Sequence, residues 1–402
     1  MPQETYVSRE HLGFERTVLK WGDGAHTTLL SVSGPTKTGK TVLLKRFFDD
    51  AIWLSGGTIE SMDDFWESIC DELEVFTDLD LSVAAEDSSA SGLGASVSLG
   101  IIDGSHSRDE SKATSKSVVR GRTRSAKSAA RKALKNEKPT LIIDDFHYVG
   151  VDNQARIIRG LKDLIFDGLP VIVLAVPHRA YDAIRVEKEM TGRVDSLPLG
   201  VWAEDDLQLI ATQGFNALKI SVSADDTRRL ARESFGSPNL MQTHCLAFAE
   251  SITEGTSINA TDEWNAFFRQ RAQAASKAAF DLLKQGPRQR SDRNMRKLKD
   301  GLETDIYGAI LAAIAETGPR TSLQYEEVRG ALRNVLDSTL PQRHEITNIL
   351  EQMTKIARDK IEGEPVLEYD AEYSTLYIAD PFFAYYLRWA PESLKELRVH
   401  PK

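Results

Sequence analysis

Residues 34 to 41 read Gly34-Pro35-Thr36-Lys37-Thr38-Gly39-Lys40-Thr41, the full G-x-x-x-x-G-K-[ST] spacing of a loop that wraps phosphate groups. The two glycines let the backbone bend so that successive N–H groups point at an anion, and a helix starting at Lys40 adds the partial positive charge of its N-terminus. Lys40 would reach the β- and γ-phosphates of a nucleoside triphosphate, and the Thr41 hydroxyl would ligate Mg²⁺. A nucleoside triphosphate such as ATP, together with Mg²⁺, is therefore the expected ligand, with Gly34, Pro35, Thr36, Lys37, Thr38, Gly39, Lys40, Thr41 and Val42 as the binding loop. About a hundred residues later, Thr140-Leu141-Ile142-Ile143-Asp144-Asp145 is an apolar run ending in two carboxylates. Standing alone it would be a strand cap. Behind a complete phosphate loop it supplies Asp144 as the Mg²⁺-side carboxylate and Asp145 as the group that polarises an attacking water. Asp145 is one methylene shorter than the Glu that many such sites use, so a slow turnover or a switch-like site is expected.

These groups need elements to hold them. Thr28-Leu29-Leu30-Ser31-Val32 before the loop has strand composition, and Val42-Leu43-Leu44-Lys45-Arg46-Phe47-Phe48 after it has helical spacing. Further on, a short strand at Ala51–Leu54 and an amphipathic helix around Asp63–Leu73 precede a Ser/Gly/Ala-rich stretch over 84 to 127. Within it Ala95–Ile101 alternates as a hairpin strand would, and a helical pattern from about Ser117 to Asn136 leads back to the Asp144 strand. A helix over Asp152–Phe166 and strands at Val171–Val176 and Val194–Leu199 follow. Continuous apolar strands alternating with helices predict an α/β core with a parallel sheet.

Taken together, the phosphate loop, Leu141 to His147, the strand ending Ala175-Val176-Pro177-His178-Arg179, and Gly192-Arg193-Val194 resemble the ATPase core of the AAA+ and STAND groups, especially origin-recognition-like and archaeal-type ATPases. Phe235 to Gln242 resembles the Gly-x-Pro segment of the helical lid in those proteins, and Asp380 to Trp389 the segment that ends their winged-helix domain. The resemblance implies a P-loop NTPase core with a helical lid and a C-terminal winged helix, and assembly as a homo-oligomer acting on a protein partner. It puts Arg193 in the place of an arginine finger acting across a subunit boundary, the alternative being a surface Arg at a helix C-terminus. His178 and Arg179 follow the strand where a sensor residue is expected, Asn239 stands where relatives hold a sensing Arg, and Pro238 supports the lid turn near the base or ribose.

With 402 residues, 41% of them hydrophobic, the chain can bury more than one core. A net charge of −10 argues against general nucleic-acid affinity, but residues 105 to 138 hold eleven Lys/Arg against three Asp/Glu. That insert, the basic run Arg288 to Lys299 and the winged helix are the places where DNA could be met. The two cysteines, Cys70 and Cys245, both in apolar helical contexts, point to a reducing compartment. Met1 to Tyr6 carries no secretory pattern, and no apolar stretch approaches eighteen residues, so the protein reads as cytoplasmic with no membrane contact.

The C-terminal third reads as helices at Ile306–Ala315, Tyr325–Val335 and His344–Arg358, then a hairpin of Val366–Tyr369 and Leu376–Ile378. The third helix has an outer face of Arg343, His344, Asn348, Lys355 and Arg358 mixed with Glu345, Glu351 and Asp359. Expected divisions are 1–200 for the core with an insert at about 84–130, 201–285 for the lid, 286–304 for a basic linker, 305–390 for the winged helix and 391–402 for a tail. Two functions compete: an oligomerising ATP-dependent switch that regulates a partner, in DNA transactions or in defence against foreign DNA, and a nucleotide-gated DNA-binding protein.

Overall fold

A computed structural model describes residues 5–22, 27–75, 80–85, 116–121, 125–176, 192–255, 258, 260–287, 294–361 and 364–389. The first half contributes strands β1 (Leu29–Ser33), β2 (Ile52–Ser55), β3 (Asp80–Ala85), β4 (Lys116–Gly121), β5 (Leu141–Asp144), β6 (Val171–Ala175) and β7 (Val194–Pro198). Its helices are α1 (Phe14–Gly22), α2 (Lys40–Phe47), α3 (Met62–Glu72), α4 (Ala126–Glu137) and α5 (Val151–Phe166). Five strands form one parallel sheet in the order β2-β5-β6-β1-β7. Successive side chains of a strand face opposite sides, and each side here has its own apolar cover. Leu29, Leu141, Ile143, Val171 and Val173 meet α3, α4 and α5, while Leu30, Val32, Ile142, Ile172 and Leu174 meet α1 and α2. The chain leaves β1 for the far edge at β2 and later crosses back past β1 to β7, so the carboxyl end of β1 lies at a switch point where ligands bind in such sheets.

The expected helix starting near Ser117 is displaced. Lys116–Gly121 is a strand paired antiparallel with Asp80–Ala85, and the helix begins only at Ala126. Val118 and Val119 prefer extended backbone, and Ser125 caps the helix by accepting from Ser128 N at 3.3 Å. Ala95–Ile101 lies outside the described residues, as do 105–115 and 122–124 of the basic insert.

Past β7 run α6 (Glu204–Ala217), α7 (Ala224–Arg232), α8 (Pro238–Thr253), α9 (Thr261–Ala275) and α10 (Lys277–Gln285). A short pair follows, β8 (Arg296–Lys297) with β9 (Glu303–Thr304), and Leu298 bridges to Leu336, so the later part of the expected linker is structured. Then come α11 (Ile306–Glu316), β10 (Ser322–Gln324), α12 (Tyr325–Val335), α13 (Arg343–Lys360), β11 (Leu367–Asp370), β12 (Thr375–Ile378) and α14 (Pro381–Trp389). β10, too short to stand out in the sequence, makes the expected hairpin a three-stranded sheet in the order β10-β12-β11. Ile346, Leu350, Met353 and Ile356 bury one stripe of α13.

Lid and C-terminal unit share one core that runs from Leu207 through Phe248, Phe268 and Ile310 to Leu387. At its seam Glu233 accepts from Arg388 Nε at 2.8 Å, Arg388 Nη2 at 3.2 Å and Trp389 Nε1 at 2.7 Å. The ring of His244 lies against Phe268 and Tyr385, with Nε2 3.2 Å from Glu233 O. Burial pushes its pKa down to about 4, opposed by that carbonyl and assisted by Arg271. The sign follows: the folded ring stays neutral while the unfolded ring takes a proton below about pH 6.5, so stability falls as pH drops from there toward 4. By denaturant titration, the native protein should lose about 2–3 kcal/mol more than His244→Gln between pH 7 and pH 4.5. Equal losses in the two proteins would show that the ring does not carry this dependence. Among the described residues no helix is long and apolar enough to cross a membrane. Cys70 is buried, with Sγ 3.4 Å from Ala126 O, and burial pushes the Cys245 thiol up to about 12.

Candidate functional site

β1 ends at the phosphate loop. Gly34 N donates to Ala175 O at 3.1 Å, and a Cβ on Gly34 would lie 2.5 Å from Leu199 O, so no larger residue fits between β1 and the chain leaving β7. Gly39 has φ +93°, the left-handed region that glycine enters freely, and it starts α2 with no side-chain cap. The first-turn N–H groups of α2 are thus left for an anion. Lys40, only 7% exposed, donates from Nζ to Gly34 O at 2.8 Å and Pro35 O at 3.0 Å, which folds the loop around the ammonium. Lys37 also takes a left-handed φ of 61°.

β5 brings the carboxylates to the same edge. Thr41 Oγ1 donates to Asp144 Oδ2 at 2.8 Å, and Asp145 N donates to Asp144 Oδ1 at 3.0 Å. Asp145 sits at φ 53°, ψ 40°, a conformation that costs a non-glycine residue energy and recurs at functional sites. Gly56, just past β2, makes room for it: a Cβ there would lie 2.2 Å from Asp145 O. Burial, then Asp144, then Glu364 push the Asp145 carboxyl up to about 6 against the pull of Lys40. Burial also lowers the Lys40 ammonium, with Glu364, Asp145 and Asp144 acting to raise it, in that order.

Loop and carboxylates line one cleft of about 350 Å³. Thr36, Lys37, Thr38, Gly39, Lys40, Thr41, Val42, Asp144, Asp145 and Pro238 border it, as does Asn239. Pro238 is the first residue of α8, whose N-cap Ser237 accepts from Leu240 N at 3.3 Å. Several lining residues were not singled out from the sequence. Tyr6, Val7, Arg9 and Phe14 come from the N-terminal segment, Trp202 and Ile210 from the lid side, and Glu364 from the turn before β11. Arg9 stacks over Trp202 at 4.3 Å and Phe14 at 4.9 Å, and Trp202 Nε1 donates to Thr38 O at 3.0 Å. The C-terminal unit also touches the loop where Lys37 Nζ pairs with Asp380 Oδ1 at 2.9 Å and lies 4.4 Å over the Phe382 ring.

Arg193 is not among these residues. It stands at the amino-terminal edge of the sheet, where its carbonyl accepts from Leu29 N at 2.9 Å, while the phosphate loop leaves the opposite edge. Its guanidinium lies 3.9 Å over the Phe166 ring at the end of α5. It does not line the cleft. His178 and Arg179 lie outside the described residues.

The donor set suits Mg²⁺. One hydroxyl and one carboxylate converge at Thr41 and Asp144, and no cluster of three or more His, Cys, Asp or Glu able to hold a metal occurs among the described residues. Mg²⁺ takes few protein oxygens and completes its shell with phosphate and water. The buried hydroxyl of Thr36, without a hydrogen-bond partner, adds a polar group on the cleft.

No protein-family model and no curated protein matches the sequence. Among solved structures, a Walker-type ATPase of Pyrococcus abyssi aligns over 96% of this chain and 97% of its own, with TM-score 0.53 and 14% identity. The ORC2 protein of Aeropyrum pernix, in ADPNP–ADP complexes, aligns over 98% and 96%, with TM-score 0.47 and 12% identity. Cdc6p of Pyrobaculum aerophilum aligns over 98% and 97%, with TM-score 0.43 and 12% identity. With the five-stranded parallel sheet and the phosphate loop at its switch point, the alignment to the Pyrococcus protein shows that this chain has the P-loop fold of that Walker-type ATPase.

Proposed function

We propose that this protein binds ATP with Mg²⁺, hydrolyses it slowly, and acts as an oligomerising switch on a protein partner, in DNA transactions or in defence against foreign DNA. The observation that carries the reading is the meeting of Lys40, Thr41, Asp144 and Asp145 at one sheet edge, in a cleft that Pro238 also lines. Lys40 and the loop N–H groups hold the phosphates. Mg²⁺, held by Thr41 and Asp144, would offset charge on the transferred phosphoryl group. Asp145, at the mouth of β5, orients a water and takes its proton. The ribose and base lie toward Pro238, Val7 and Ile210, where the lining is apolar. We read the C-terminal unit as a winged helix that contacts the loop through Lys37 and Asp380, with the divisions at 200, 285, 304 and 390 as its frame. Role and pathway rest on the motif resemblance.

Direct reading of DNA by α13 is the weaker alternative. Arg358 is ion-paired with Glu368, and Arg343 stacks 4.8 Å over Tyr325, so two of its cations are engaged within the unit. Arg193, remote from its own cleft, can serve catalysis only from a neighbouring subunit.

One set of measurements tests this reading. Light scattering with and without ATP and Mg²⁺ should show nucleotide-dependent assembly in the absence of duplex DNA. Arg193→Ala and Lys40→Ala proteins, each inactive, should regain part of the ATPase activity when mixed, because some interfaces then pair an intact loop with an intact arginine. Mixtures that co-assemble and stay inactive would leave Arg193 with its stacking role alone. Salt-dependent duplex binding, lost on neutralising Arg343, Lys355 and Arg358, would favour the alternative.

A further inference from the structure

Glu364 belongs to the C-terminal unit, some 220 residues beyond Asp145 in the chain, yet it lines the same cleft as Lys40, Thr41, Asp144 and Asp145. Three carboxylates, Asp144, Asp145 and Glu364, therefore share the cleft lining with the buried ammonium of Lys40, while the other buried cation of the lining, Arg9, is stacked on Trp202 and Phe14. The nearby second ammonium is committed elsewhere: Lys37 is paired with Asp380 and stacked on Phe382. Asp144 has partners of its own in Thr41 and the Asp145 N–H, whereas Glu364 acts on both Lys40 and Asp145 through space. In a partly buried site, a neighbouring charge counts several times more than it would in water.

Resting on the nucleotide-site reading above, we propose that Glu364 sets the choice between nucleoside di- and triphosphate: its carboxylate opposes the terminal phosphate and leaves the diphosphate nearly untouched. ADP carries its charge on the α- and β-phosphates, which the loop N–H groups and Lys40 receive. ATP adds charge beyond the β-phosphate, in a cleft whose lining includes Glu364. The discrimination is electrostatic, so it follows the charge of residue 364 and not its bulk. It also makes the C-terminal unit a component of the nucleotide site, with selectivity dependent on where that unit rests.

Calorimetric titration of the full chain with ADP and with ATPγS, both in Mg²⁺, tests this for the native protein, Glu364→Gln and Glu364→Ala. The native chain should bind ADP more tightly. Both variants should tighten ATPγS by about tenfold or more while ADP affinity moves less than about threefold, the scale expected for one charge removed at short range. An unchanged ADP/ATPγS ratio in Glu364→Gln overturns the proposal. So does a shift in Glu364→Ala alone, which would mean a steric effect, or an equal loss of both ligands, which would mean that Glu364 supports the fold or the metal. Failure of the native chain to bind either nucleotide is a separate result and would remove the nucleotide-site reading itself. Unfolding temperatures of the three proteins report whether any loss of binding reflects folding.

Discussion

Lys40→Ala protein is expected to lose ATP affinity by about a hundredfold or more, the scale seen when one partner of a buried, hydrogen-bonded charge pair is removed. Two effects add. The ammonium is the one cation of the loop inside the cleft that is not tied to the C-terminal unit, and its Nζ also holds Gly34 O and Pro35 O. The variant thus loses both the charge and two bonds that shape the loop around it. Calorimetry with ATPγS and Mg²⁺ measures the first effect. The melting temperature should change little, because α2 keeps Leu43 and Leu44 in the core. Near-native affinity in a folded Lys40→Ala protein would mean that triphosphate binds elsewhere.

Asp145→Asn protein should bind ATP with near-native affinity and hydrolyse it a hundredfold or more slowly, on the order of what one positioned general base contributes. The amide keeps the shape and cannot accept a proton. Asn also tolerates the left-handed backbone that Asp145 adopts better than most residues do, so the β5 terminus should stay in place. Single-turnover hydrolysis separates this from slow product release. Native-like turnover would place the base at another residue, and Glu364 would be the next to test.

What the sequence made legible was what chain neighbours build together. The phosphate loop spans eight consecutive residues and the acidic strand six, so type and spacing alone define their chemistry. Their convergence followed from one topological rule, that ligands gather at the carboxyl ends of parallel strands. The rest of the cleft comes from afar. Arg9, Trp202 and Glu364 reach it from three segments whose own patterns say nothing about phosphate: a cation on two aromatic faces, an indole bonded to a loop carbonyl, a carboxylate in a turn. The strand at Lys116–Gly121 was hidden for a related reason, since its partner lies more than thirty residues earlier across a Ser/Gly-rich stretch. Local pattern saw the helix that follows and extended it too far. Arg193 shows the reverse case, a position matched by resemblance whose side chain is engaged with Phe166.

The shared core from Leu207 to Leu387 has a mechanical meaning. Two bodies on a slack tether would absorb a tilt between them; one packed body passes it on whole. Lid and C-terminal unit are therefore one packed body, joined to the sheet at Leu199–Trp202, where Trp202 donates to the loop carbonyl of Thr38, and held to the phosphate loop a second time at Lys37–Asp380. The bracket of Glu233, Arg388 and Trp389 stiffens it at mid-length. A displacement of the phosphate loop would thus be met by the whole of that body at two points, not absorbed by the helix nearest to it.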